Sequence, residues 1–362
     1  MLVGGRHYRS IWLDEVSGLP RIIDQTRLPF EFALRTLARV DDVAEAIASM
    51  RVRGAPLIGA AAAHGLAVAL SVDPSDTGLA AAVRQLAETR PTAINLRWAL
   101  ERVVRVVAPI PARDRAARAR AEAIAICDED VETCAAIGEH GAALLERMSA
   151  ERPGRPLQVL THCNAGWLAT VDWGTALAPL YKAHDAGIPL HVWVDETRPR
   201  NQGAALTAFE LREHGVAHTV VADNAGGHLM QRGQVDLVLV GSDRTTATGD
   251  VCNKIGTYLK ALAAKAHAIP FYVALPLSTV DWSIADGLRE IPIEERSGDE
   301  VRTISGRTPG GRIERVELFS AQSPAANPAF DVTPAALVTG LVTERGIVAA
   351  TREALASLRK ER

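Results

Sequence analysis

The sequence predicts an α/β protein in which a mainly helical N-terminal part precedes a parallel sheet. Three observations carry this. From Asp41 to about Met148 the chain is rich in Ala, Arg and Glu at helical spacing. The segment Glu151-Arg152-Pro153-Gly154-Arg155-Pro156 then breaks the helical pattern. Beyond it, five short apolar runs recur: Leu157 to Leu160, Pro189 to Val194, His218 to Val221, Val235 to Val240, and Pro270 to Leu275. Helix-like segments separate most of them, the pattern of βα units whose strands are buried on both faces.

Taken in order, the first forty residues alternate apolar runs with turn signals (Ser17-Gly18-Leu19-Pro20, Leu28-Pro29) and predict a small hairpin region. Asp41 or Asp42 is placed to cap the first helix. Arg53-Gly54-Ala55-Pro56 opens an apolar helical stretch, and Ala112 to Met148 predicts one or two long amphipathic helices. A chain of 362 residues has room for two domains, and the break after Met148 divides it into residues 1–150 and 151–362.

Composition excludes several functions. The net charge is −3 and no block of five like charges occurs, so nucleic acid is not an expected partner. The N-terminus has no apolar core of a signal peptide, and the most apolar stretch, Leu57 to Leu70, is too short to span a bilayer. Four cysteines without a CxxC pair predict free thiols and a cytoplasmic protein. Neither GxGxxG after a strand nor GxxxxGK[ST] is present, and no HExxH or paired Cys/His spacing marks a zinc site. No metal or cofactor is expected.

Polar residues cluster directly after the apolar runs. Thr161, His162, Cys163 and Asn164 follow the first, Asp195 and Glu196 the second, Asp223 and Asn224 the third, Ser242 and Asp243 the fourth. Open α/β sheets bind ligands at these carboxyl ends. Cys163 ends a strand and enters the turn Asn164-Ala165-Gly166; it is either a buried small apolar residue or a reactive thiol facing backbone N–H groups. Asp243 is either a helix cap, a partner of Arg244, or a general acid whose pKa is raised by apolar strand ends. Lys254 is a surface lysine or a phosphate cation. Arg53 is a solvated residue at a helix cap, or lies with free N–H groups at a phosphate site.

At this level the sequence resembles the methylthioribose-1-phosphate isomerase family, within the group that includes the regulatory subunits of translation initiation factor 2B. The matching segments are VRGAPLIGAAAAHGLAVAL from Val52, RPTAINLRWAL from Arg90, THCNAG from Thr161, DETRPRNQGAALTAFEL from Asp195, DNAGGHLM from Asp223 and VGSDRTTATGDVCNKIGTY from Val240. IPFYVALPLSTVD from Ile269, IPIEER from Ile291 and NPAFDVTP from Asn327 complete the set. The resemblance implies a helical N-terminal domain on a Rossmann-like catalytic domain, assembled as a cytoplasmic homodimer. It implies conversion of 5-methylthioribose 1-phosphate to 5-methylthioribulose 1-phosphate in methionine salvage. Its catalytic pair falls on Cys163 and Asp243, and its substrate contacts on Arg53, Gly54, Ala55, Arg90, Gln202, Asn253 and Lys254.

The sequence departs from the family pattern at Ser242, Gly226 and Cys252. Rival readings are an isomerase of ribose 1,5-bisphosphate or 5-deoxyribose 1-phosphate, a regulatory binding protein, and a nucleotide-dependent oxidoreductase. Retention of both Cys163 and Asp243 disfavours the binding protein, and the missing glycine fingerprint disfavours the oxidoreductase. Two routes of hydrogen transfer stay open: a proton carried from C2 to C1 by Cys163, slightly favoured because a thiol is a competent acid–base group, or a direct hydride shift beside it.

Overall fold

The computed structural model describes residues 1–90 and 93–359. Pro91 and Thr92 of the RPTAINLRWAL segment, and residues 360–362, lie outside them.

The hairpin region is β1 (Leu2–Val3) with β2 (Arg6–His7), then an antiparallel sheet of β3 (Ile11–Leu13), β4 (Pro20–Ile23) and β5 (Leu34–Thr36). Five helices follow: α1 (Val40–Ala48), α2 (Ala55–Val72), α3 (Asp76–Ala87), α4 (Ile94–Val107) and α5 (Ala112–Ala150). Neither Asp41 nor Asp42 is the capping position of α1, which is Arg39. Asp42 instead reaches back from the first turn to accept from the Ala38 and Arg39 N–H groups. A carboxylate there satisfies orphan donors as well as a cap does.

Apolar on every side, α2 is surrounded, as such a helix must be. It packs against α1, α3, α4 and α5. With 18 residues and a mean hydropathy of 1.7 it is longer than its apolar run and could cross a membrane by length, but 67% of it is buried inside the protein. The predicted one or two helices after Ala112 are one, α5, of 39 residues. It is ~58 Å long at 1.5 Å per residue. One end packs on α2 and α4, the other on the sheet. The core beneath the sheet accordingly mixes Met1, Ile23 and Leu28 with Ile137, Leu145 and Met148 of α5.

Each of the five apolar runs forms a strand. In chain order come β6 (Leu157–Thr161), α6 (Ala178–Asp185), β7 (Leu190–Asp195), α7 (Ala208–His214), β8 (His218–Val221), α8 (Ala225–Gln231) and β9 (Leu237–Val240). Next are β10 (Arg244–Thr246), β11 (Val251–Lys254), α9 (Thr257–Ala266), β12 (Phe271–Ala274), β13 (Val280–Asp281), α10 (Gly287–Glu290) and α11 (Asp299–Arg302). The chain ends with the hairpin β14 (Thr303–Arg307) and β15 (Ile313–Glu317), then β16 (Phe330–Thr333), β17 (Gly340–Thr343), β18 (Gly346–Val348) and α12 (Arg352–Leu358).

The main sheet has the order β18-β17-β12-β9-β6-β7-β8, and every pairing is parallel except β17 with β18. A second sheet, β13-β10-β11-β16, stands at its carboxyl edge. The polar residues that follow β6, β7, β8 and β9 therefore open on one side, facing the second sheet and the N-terminus of α2.

Candidate active site

Cys163 follows β6 in the left-handed conformation, with φ +65°. A non-glycine residue held there stores about 1–3 kcal/mol of strain. Two hydroxyls impose it: the Cys163 N–H donates to Thr197 Oγ1 at 2.8 Å, and Thr207 Oγ1 donates to the Cys163 carbonyl at 2.7 Å. Because the strand stops at Thr161, the alternation expected for adjacent residues lapses, and His162 and Cys163 both line the same cavity.

That cavity, of about 110 Å³, is lined by all nine residues singled out in the sequence: Cys163, Asp243, Arg53, Gly54, Ala55, Arg90, Gln202, Asn253 and Lys254. Gln202 precedes a π-helical turn (Gly203–Thr207) and accepts the Cys163 S–H at 3.4 Å. Turns of this kind recur at functional sites. Gly54 opens α2 with φ +94°, and a Cβ on it would lie 2.3 Å from the Ala169 carbonyl oxygen, so only glycine brings the α2 N-terminus this close. The helix there presents free N–H groups to the cavity.

Arg53 is 7% exposed and is not a solvated residue. It donates to Asn164 Oδ1 at 2.7 Å and to the Asn164 carbonyl at 2.6 Å. Asn164 in turn donates to buried Glu210, which also accepts from the Trp167 and Leu168 N–H groups and the Tyr181 hydroxyl. Glu210 was not legible as a functional residue; inside a helical run nothing local marks it. Lys254, also 7% exposed, is no surface lysine. Its ammonium donates to the Ala329 carbonyl at 3.1 Å and stands 4.5 Å from the Phe330 ring centroid.

The cations divide into two kinds. Arg90 pairs with Glu294 at 3.2 Å, Arg296 with Glu300 at 3.0 Å, and Arg244 lies 3.8 Å from Asp281. Among the described residues, no carboxylate stands within ion-pairing distance of Arg53 or Lys254.

Asp243 caps no helix, because β10 follows it; its N–H donates to the Cys252 carbonyl. Burial raises its pKa above the ordinary aspartate value, against the pull of Lys254 and Arg53. Burial likewise raises the Cys163 thiol, outweighing the same two cations. The thiol is therefore held neutral, and the carboxyl keeps its proton to a higher pH than an ordinary aspartate. Of the departures from the family pattern, Ser242 and Cys252 line the cavity.

His162, Asp195 and Asp223 bring their ligand atoms within 4.8 Å of one another, a spacing that fits a cation. The Lys260 ammonium supplies that charge, 3.1 Å from Asp195 and donating to the Asp223 carbonyl.

Residues 51–350 match the model of the initiation factor 2 subunit family. The chain belongs to that family. Within it, the chain is 64% identical over 362 residues to methylthioribose-1-phosphate isomerase of Methylorubrum populi, covering 100% of this chain and 99% of that one. It is 61% identical to the enzyme of the same name from Rhodospirillum rubrum, covering 100% and 94%. Among solved structures it resembles 5-methylthioribose 1-phosphate isomerase of Pyrococcus horikoshii, with TM-score 0.84, 40% identity and coverage of 98% and 96%. It also resembles an A. fulgidus structure described as translation initiation factor eIF-2B, subunit delta, with TM-score 0.79, 39% identity and coverage of 95% and 96%.

Proposed function

We propose that this member of the family is the aldose–ketose isomerase that converts 5-methylthioribose 1-phosphate into 5-methylthioribulose 1-phosphate in methionine salvage. The relatives at 61–64% identity bear that enzyme's name. The observation that carries the reading is the pairing of a buried acid and a buried thiol, Asp243 and Cys163, with two buried cations, Arg53 and Lys254, that have no carboxylate within ion-pairing distance among the described residues.

Arg53 and Lys254, with N–H groups at the start of α2, match one phosphate dianion. The other cations of the wall are already neutralised by Glu294, Glu300 and Asp281. Met50, Ile58, Ile94, Ile291 and Pro292 line the same cavity and suit a methylthio group. A second phosphate would have to break existing ion pairs or stay unpaired in a buried site. In a turnover assay with aldose 1-phosphates differing at C5, the methylthio substrate is expected to exceed the 1,5-bisphosphate in kcat/KM by about 10²-fold or more. Preference for the bisphosphate, or no turnover of any member, would overturn the reading.

In the substrate the phosphate sits on the anomeric oxygen, so the ring cannot open to a free aldehyde. Asp243 protonates the ring oxygen, the C1–O4 bond breaks, and positive charge develops at C1. Hydrogen then passes from C2 to C1 with its electron pair. The 2-hydroxyl proton returns to the Asp243 carboxylate as the C2 carbonyl forms, which restores the acid. A thiol raised by burial is no ready base, and phosphate on Arg53 and Lys254 offsets the charges that would ionise it. This favours the hydride route over proton carriage by Cys163, whose S–H is committed to Gln202 and whose sulfur lone pairs are left to the cavity.

Lys254→Ala is expected to weaken both substrate and inorganic phosphate by about 1.5–3 kcal/mol, the loss of a charged hydrogen bond. Titration calorimetry with inorganic phosphate measures it; unchanged affinity would remove Lys254 from the anion site. The same reading includes a cytoplasmic homodimer, which rests on the family resemblance.

A further inference from the structure

His162 makes two hydrogen bonds with different consequences. Its Nε2 lies 2.8 Å from the Ile255 carbonyl oxygen, which can only accept, so Nε2 carries a proton. Its Nδ1 lies 2.8 Å from Asp195 Oδ2, a contact that needs a second proton between the two atoms. The ring and the carboxyl thus hold two protons between them, in a pocket where His162 is 1% and Asp195 0% exposed. The Lys260 ammonium lies 3.1 Å from the same Asp195 Oδ2 and balances its charge.

The two bonds lead to different parts of the site. Asp195 belongs to the sheet itself, as the last residue of β7. Ile255 follows Asn253 and Lys254 directly. Among the described residues, the bond from His162 to Ile255 is the one hydrogen bond that joins the segment Thr161–Gly166, which bears the thiol, to the segment Asn253–Thr257, which bears the phosphate cation. The ring is also packed on Gly256: at φ +100°, a Cβ there would come within 3.1–3.2 Å of His162 Cε1 and Nε2.

We infer that His162 is a positioning residue, whose Nε2–H holds the Asn253–Lys254 strand end in register with Cys163 and so places the phosphate relative to the reacting carbons. The inference rests on the phosphate site proposed above and adds a residue that acts through the Asn253–Lys254 strand end. Its two nitrogens can be separated by substitution, because an asparagine amide stands near the Nδ1 position and a glutamine amide near Nε2. His162→Asn keeps a donor for Asp195 and loses Ile255; His162→Gln keeps Ile255 and loses Asp195, which retains Lys260.

The experiment is calorimetric titration of the full chain with inorganic phosphate, with steady-state kinetics on 5-methylthioribose 1-phosphate. H162N is expected to lose about tenfold in phosphate affinity and to gain a similar factor in KM, with kcat changed less. H162Q is expected to stay within about threefold of the unsubstituted protein in both. A residue serving only the folded core through Asp195 would give the reverse order, with H162Q the weaker; that order, or equal affinities, would overturn the inference. Because the phosphate comparison needs no turnover, it reports on His162 even if the unsubstituted protein fails to isomerise this substrate. Should either variant not fold, ¹⁵N-histidine spectra of the unsubstituted protein decide. A slowly exchanging Nε2 proton whose resonance moves on phosphate addition supports the clamp, and a freely exchanging or unmoved one overturns it.

Discussion

Asp243→Asn lowers turnover by about 10²–10⁴-fold, the range lost when a general acid is removed. The amide keeps the shape of the site but cannot deliver a proton to the ring oxygen. The pH profile identifies the group. Activity requires the protonated acid, so kcat/KM falls as pH rises through the Asp243 pKa, which burial holds above the ordinary value of 3.8. Stability runs in the same direction. A carboxyl whose folded pKa exceeds its unfolded pKa binds more protons in the native state between the two values. Unfolding free energy therefore declines as pH rises from 3.8 through the raised folded pKa, and the Asn variant lacks that decline. Above that window D243N is expected to melt no lower than the unsubstituted protein while being nearly inactive. Near-normal turnover in D243N would remove Asp243 from the chemistry. A melting point lowered by several degrees would show that its carboxylate is held for structure.

Cys163→Ser lowers turnover by about 10²–10³-fold, the usual cost of removing one stabilising group from a closed site. Serine keeps a donor for Gln202 and fits the left-handed backbone set by Thr197 and Thr207, so the fold should survive. What is lost is a large polarisable atom beside the carbons that become positive. The same residue decides the route of hydrogen. Substrate deuterated at C2 is expected to yield product with the label at C1 and no hydrogen from solvent. Washout of the label into water would return Cys163 to the role of proton carrier and exclude a pure hydride shift. Near-normal turnover in C163S would take the sulfur out of the mechanism altogether.

The sequence by itself determined the sheet and the inventory of the site. Apolar runs such as Val235 to Val240 became strands because unbroken apolar character is what a parallel sheet buried on both faces demands. Polar residues after those runs fell at one edge because parallel strands share a direction. The motifs from Val52 onward marked nine residues, all of which line the cavity. What stayed hidden is of another kind. The second sheet was not legible, because β10 and β13 are only 3 and 2 residues long, too short to show a periodicity. The cap of α1 was misplaced because Arg39 and Asp42 act together. Above all, the states of the charged residues waited for the fold. Arg53 is held by Asn164, 111 positions away, and Arg90 by Glu294, 204 positions away. Only that packing made Arg53 and Lys254 buried cations with no carboxylate in ion-pairing distance among the described residues, while pairing Arg90 with Glu294. Periodicity and turn chemistry act over a few residues and can be read along the chain. Burial and charge pairing act between residues that only the folded chain brings within a few ångströms.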